Sequence, residues 1–328
     1  MYPQSMFSKV ILSTMAIGLW SQLVSHGLAQ EGTTSNQTTA RPNVQIAQRL
    51  GSPIRQQGEP VQQSGPTANR AAVHGAPFQL SLAEQQFVNQ VLMMWENQSN
   101  QITTYSCDFQ RWEYDPVFGP SGDVPLIKSQ GQLTYAKPDK GSFKINRIHR
   151  WVQTDPQQAG QHVLQKNEIG EHWVCDGKAI FEYKHNKKQL VVQPLPQELR
   201  GKSIVDGPLP FLFGAEAEKM KARYWIRSSQ GNPNTIILEA YPRRQVDAGN
   251  YHHVEVMLDR KTMLPSAIQV HMPNNRNRAV YIFSKPTING TMNQLFGAIF
   301  KSPLTPIGWT RVVQPAPPQA TLPKPVVR

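Results

Sequence analysis

Apolar and polar positions divide the chain into stretches of different character. The first has one charge, Lys9, then an apolar run from Val10 to Trp20 broken only by Ser13, Thr14 and Gly18. Gly27 and Ala29 stand at the −3 and −1 positions before Gln30. Charge, apolar core and small residues in that order predict a cleavable secretory signal over residues 1–29. The competing reading is an uncleaved anchor, but the run falls short of the roughly 20 apolar residues of a spanning helix. No Cys follows it to carry a lipid. No later segment is apolar enough to span a bilayer, so a mature chain without a transmembrane span is expected.

Residues 30–79 are rich in Gln, Thr, Ser, Asn, Pro and Gly and show no period. They cannot bury enough surface to offset their ordering entropy, so a disordered tether is predicted. Periodicity starts at 80. Ser81 and Glu84 are spaced as a capping box, and Phe87, Val91, Leu92 and Trp95 share one helical stripe. Alternation takes over afterwards. Tyr105, Cys107 and Phe109 interleave with polar neighbours, followed by Leu133 and Tyr135, Phe143 and Ile145, Trp173–Cys175, Ala179–Tyr183 and Gln189–Gln193. Asp176-Gly177 is a two-residue hairpin signal. Later strand patterns cover Arg223–Ser228, Thr235–Ala240, Tyr251–Leu258, Ser266–Met272 and Ala279–Ser284. The apolar segment Pro208–Gly214 interrupts them, with a short helix predicted after it. From Gln314 five prolines predict an extended tail over 314–328. The pattern thus defines one folded domain, 80–313, mainly β (α+β), whose evenly spaced strands suggest a sandwich or barrel.

Composition alters this picture in two places. Lys and Arg total 34 against 22 acidic residues, a net charge of +12. That balance suits anionic lipid or an acidic wall polymer as well as nucleic acid. Export removes nucleic acid, and the basic residues are scattered, so a solvated basic surface is the simplest account. The only cysteines are Cys107 and Cys175. In an oxidising compartment they could pair, and closing that loop would contribute about 4 kcal/mol. Two separate buried thiols is the alternative, and sequence spacing does not decide between them.

The motifs, taken in order, resemble the periplasmic outer-membrane lipoprotein carrier family. They are Gly131-Gln-Leu-Thr-Tyr-Ala-Lys-Pro138, Phe143-Lys-Ile145, Val174-Cys-Asp-Gly-Lys-Ala-Ile-Phe-Glu-Tyr183 and Gln189-Leu-Val-Val-Gln-Pro194. Pro208–Gly214 looks like the family's internal lid helix, Asp259–Pro265 like its late turn, and Phe300 to Val312 like its closing strand. The layout with tether and tail also resembles secreted planctomycete proteins of unassigned activity. The carrier resemblance implies a curved antiparallel half-open barrel, with an N-terminal helix and a short internal lid helix, around an apolar cavity for lipoprotein acyl chains. The family's functional arginine falls at Lys137. Lysine keeps the charge but not the planar bidentate fork.

On that fold Tyr105, Phe109, Leu133, Tyr135, Phe143, Ile145, Phe181 and Tyr183 are expected to line the concave face, with Lys137 near it. Leu209, Phe211, Leu212 and Phe213 are expected to plug it. A fully packed core is the competing account of the same stripes. Catalysis is not expected, since no G-x-S-x-G, H-E-x-x-H or P-loop pattern occurs. No cofactor and no metal are expected either. His252 and His253 would point to opposite strand faces, while His149, His162, His172, His185 and His271 lack ligand spacing. Glu168, Glu171 and Asp176 read as solvated turn residues. The expected function is binding or carrying a lipid or acyl chain in the cell envelope. The alternatives are an envelope sensor with a protein partner and a binder of anionic wall polymer.

Overall fold

The computed structural model describes residues 75–120, 123–155, 157–195, 197, 200, 210–213, 216–229, 231–290 and 299–314. The predicted signal sequence, nearly all of the predicted tether and the predicted tail beyond Gln314 lie outside the described residues, as does Leu209.

Helix α1 spans Leu82–Asn100. Its capping box forms as the sequence predicts. The Glu84 N–H donates to Ser81 Oγ at 3.3 Å, and the Ser81 N–H donates to Glu84 Oε2 at 2.7 Å. The apolar stripe holds at Val91, Leu92 and Trp95 and departs from expectation only at its start, where Val88 takes the place of Phe87. Val88, Val91, Leu92, Trp95 and Ser99 are buried, while Phe87 is largely exposed.

Among the described residues thirteen strands follow in one sheet. They are β1 Thr104–Tyr114, β2 Ile127–Ala136, β3 Lys140–Val152, β4 Gln161–Leu164, β5 His172–Asp176, β6 Ala179–Lys184 and β7 Gln189–Pro194. The series continues with β8 Tyr224–Ser229, β9 Thr235–Pro242, β10 His253–Asp259, β11 Pro265–His271, β12 Arg278–Ile288 and β13 Thr310–Val313. Short helices α2 (Pro210–Phe213) and α3 (Ala217–Arg223) lie between β7 and β8, and α4 (Gln245–Ala248) precedes β10.

The order across the sheet is β13-β7-β6-β5-β3-β2-β1-β12-β11-β10-β9-β8, with β4 beside β3. Every pairing is antiparallel except β13 on β7. β8 and β13 do not meet, so the sheet is a half-open barrel, mainly β, carrying α1 on its inner face. Alternation sets that face. β9 reads intermediate-buried throughout, with Ile236, Leu238 and Ala240 inward. The apolar clusters formed by α1 with β8–β11 and by β1–β3 with β5 and β12 share Val270, Phe283 and Leu212, so both lie on this inner face.

Two glycines of the recognised motifs have steric reasons. A Cβ on Gly131 would meet the Lys144 carbonyl oxygen at 2.2 Å and the Phe109 ring at 2.6 Å, so only glycine lets that ring lie across β2. Gly177 turns the β5–β6 hairpin at φ +89°, with Asp176 Oδ1 accepting from the Lys178 and Ala179 N–H groups. Asn289, past β12, accepts from the Thr103 N–H at 2.7 Å and donates to the Gln101 carbonyl at 2.7 Å. It ties the end of β12 to the α1–β1 connection.

Cys107 and Cys175 are both free and buried. β1 and β5 are separated by β2 and β3. Three inter-strand steps of about 4.8 Å each far exceed the roughly 4.4–6.8 Å Cα separation that a disulfide requires. The structure therefore holds separate thiols in place of the disulfide.

Candidate functional site

The inner face is built by β1–β3, β5 and β12 on one side and by α1 with β8–β11 on the other. Of the residues expected to line it, Tyr105, Phe109, Leu133, Tyr135, Phe143 and Ile145 are brought together there, all buried. Phe109 stacks on Phe143 with ring centroids 4.6 Å apart, and Phe143 stacks on Trp173 at 5.9 Å. Tyr281 tilts against Phe109 at 6.3 Å. These side chains fill the face by packing on one another.

Phe181 and Tyr183 depart from expectation and lie on the opposite face. Trp173 is cross-strand from both Phe143 and Glu182, which puts Phe181 and Tyr183 on the outer side. There Phe181 forms a separate cluster with Ala179, Leu190 and Val192, and Tyr183 packs against it. Strand alternation is visible in a sequence, but the register that links one strand's parity to the next is not.

Lys137 is exposed and also differs from expectation. Its Nζ donates to the Asn100 carbonyl at 2.8 Å, satisfying an unpaired carbonyl at the end of α1. The residue thus anchors a helix C-terminus.

Within the plug, Phe211 is buried and its ring lies 4.9 Å from that of Tyr224. Leu212 is partly buried and packs against both inner clusters. The Phe213 side chain lies outside the described residues. A helix of four residues is too short to be stable by itself, so α2 is held by these two contacts.

One polar group on the inner face was missed in the sequence. Arg111 is buried, with its Nε 2.7 Å from Glu113 Oε1 and its Nη1 donating to Glu171 Oε1 at 3.0 Å. Its signal was parity, because Arg111 continues the inward series Tyr105, Cys107, Phe109. A guanidinium stays charged when buried and requires such pairing. Burial, followed by the adjacent carboxylates Glu171 and Glu113, raises the Tyr281 hydroxyl well above its ordinary range despite Arg111, so it stays protonated.

The remaining carboxylates are likewise engaged. Glu168 pairs with Arg150, and Asp176 caps the hairpin. Burial pushes both the Cys107 and Cys175 thiols up to about 12, so at neutral pH neither is a thiolate nucleophile.

The outer face carries two histidine groups. His172 stacks on Tyr183 at 4.0 Å and lies 5.7 Å from His185, with Trp309 edge-on to His185 at 5.1 Å. Burial, then Lys144 and His185, lowers His172 to about 4. The second group corrects the expectation that His271 stands isolated. His253 and His271 are cross-strand partners, and with Glu255 they place one donor atom each within 4.8 Å of one another.

No protein-family model and no curated protein matches the chain. Solved structures do. One is an uncharacterized conserved protein from Thermus thermophilus, with a TM-score of 0.38 and 10% identity over 69% of this chain and 98% of that one. The lipoprotein LppX of Mycobacterium tuberculosis matches at 0.30 and 10% over 61% and 94%. The chain is also similar to the LolA superfamily protein NE2245 of Nitrosomonas europaea, at 0.30 and 10% identity over 62% of this chain and 96% of that one.

Proposed function

We propose that the chain is a non-enzymatic protein of the cell envelope that binds an acyl chain or a similar lipid on its inner face. The observation that carries this reading is the position of Leu212. The seam between two large apolar clusters is bridged by one four-residue helix. Elsewhere, among the described residues, these clusters are covered by the sheet itself, by the 19-residue α1 and by Ala217 and Met220 of α3.

Moving α2 aside would cost the burial of Phe211 and Leu212, about 1.5–3 kcal/mol each. An acyl chain in their place regains about 0.8 kcal/mol per buried CH₂, so a chain of ten or more carbons offsets that loss. The aromatic row beneath is already packed, which makes displacement of α2 the route of entry. The Arg111–Glu113–Glu171 group, on the same face, can orient a polar head. The sequence motifs of the lipoprotein carriers and the signal sequence support the same reading. Binding of this kind requires no nucleophile, and the buried thiols are held protonated.

Native mass spectrometry of the purified protein with palmitate tests the proposal. One palmitate per chain is expected, with occupancy falling in Leu212→Asp. An unmodified mass at saturating palmitate would contradict it.

A further inference from the structure

We infer that His253, Glu255 and His271 form a binding site for a divalent transition-metal ion of the zinc class on the outer face of β10 and β11. The site is separate from the lipid face proposed above and does not depend on it.

The geometry follows from register. At one level of the sheet Trp225, Tyr241, His253 and His271 stand side by side on β8, β9, β10 and β11. At the next level Arg227, Glu239, Glu255 and Gln269 do the same. Glu239 is taken by Arg227, whose Nη2 lies 2.6 Å from Glu239 Oε2. Glu255 is therefore the carboxylate left to face the imidazoles. Arg278, opposite His271 on β12, turns onto the Tyr114 ring and Asp123.

The distances suit a shared ion. His253 Nε2 lies 3.4 Å and His271 Nε2 3.0 Å from Glu255 Oε1. Donors each about 2.0–2.1 Å from a tetrahedral zinc stand about 3.3–3.4 Å apart. Two imidazoles and one carboxylate are also the nitrogen and oxygen donors that zinc accepts, leaving a fourth position open. Glu255 has a side-chain exposure of 33%, so that position faces solvent.

The His253 and His271 rings are stacked nearly parallel, so at least one must turn for both Nε2 lone pairs to point at a single ion. His253 is sandwiched between Tyr241 at 4.8 Å and His271 at 3.9 Å, nearly parallel to both. Its Nδ1 lies 2.8 Å from His252 Nδ1. In the tautomer whose Nδ1–H donates to His252, His253 Nε2 is the nitrogen that can take an ion. Gln269 Nε2 donates to Glu255 Oε2 at 3.2 Å and stands 2.8 Å from His271 Nε2, which also lies within hydrogen-bond distance of Glu255 Oε1. Without an ion Glu255 Oε1 can accept from these imidazole N–H groups, and a divalent cation would take the place of their protons. His252, on the other ring nitrogen of His253, is the outer partner that fixes ligand orientation, and Gln269 supports the second oxygen of Glu255. His252 and His253 do point to different places, as adjacent strand residues must, yet one serves as support for the other.

The test uses untagged full chain stripped with chelator, then titrated with Zn²⁺ by calorimetry and with Co²⁺ by visible absorption. The expected result is one ion per chain and a tetrahedral Co²⁺ spectrum. His253→Ala and His271→Ala should each abolish stoichiometric binding. His252→Ala should weaken it by about 10–100-fold, and His172→Ala should leave it unchanged. Glu255→Gln preserves shape and is the variant to read if the alanine variants misfold. Imidazole ¹⁵N signals of the unaltered protein provide a readout without substitution, since His253 and His271 Nε2 should shift with Zn²⁺ and His172 should not. Absence of binding above the chelator baseline would overturn the inference. So would binding that survives in His253→Ala/His271→Ala or in Glu255→Gln.

Discussion

At the scale of single residues, the inner face shows how one buried charge is accommodated. Arg111 faces two carboxylates, and removing it would leave them opposed without a cation. Arg111→Ala is expected to destabilise the fold by about 3–5 kcal/mol, read from urea unfolding midpoints. His172 gives a pH dependence of defined sign. Its pKa drops from an ordinary 6.5 to about 4 on folding. Between those values the unfolded chain binds the extra proton, so stability is constant for this group above pH 6.5 and falls as pH drops towards 4. His172→Phe keeps the stack on Tyr183 and should flatten that part of the Tm-against-pH curve. An unchanged slope in the variant would assign the acid sensitivity to other groups. Arg111 was missed although a signal existed at this scale, since its place in the Tyr105–Phe109 series marks it as inward. His253 and His271 were not legible, because 18 positions separate them and only the β10–β11 register makes them neighbours.

At the scale of elements, local signals worked where the physics is local. The Ser81–Glu84 box starts α1 and the Asp176-Gly177 pair turns β5 into β6 as read. Ser81→Ala should cost about 1 kcal/mol. Gly177→Ala should cost more than this. It combines a positive φ with a Cβ 2.7 Å from Asp139 Oδ1, and thermal melting would rank the two. Signals that depend on a partner element failed. The buried stripe of α1 begins at Val88 because the helix docks with that edge against β8, a rotation its own sequence leaves open. Phe181 and Tyr183 alternate correctly within β6, yet the β3–β5–β6 register turns them outward. Lys137 resembles a carrier's functional arginine in sequence position, but the end of α1 reaches it first.

For the whole molecule, the sheet divides the chemistry. The inner face around α1 and α2 is apolar and aromatic apart from the Arg111–Glu113–Glu171 group, while the histidine groups lie on the outer face with the Phe181 cluster. The net charge of +12 predicts a salt-sensitive attraction to anionic vesicles. Acyl binding on the inner face should persist when salt abolishes that attraction, and co-sedimentation against palmitate binding at rising salt separates the two. Which face a lipid uses is decided most directly by photolabelling with a diazirine palmitate and mapping the labelled peptides. The account predicts saturable label on the α2 segment and on the inner residues of β1–β3, competed by unmodified palmitate and lost in Leu212→Asp. Label confined to the outer cluster of Phe181, Tyr183 and Leu190, or label that palmitate does not compete, would contradict it.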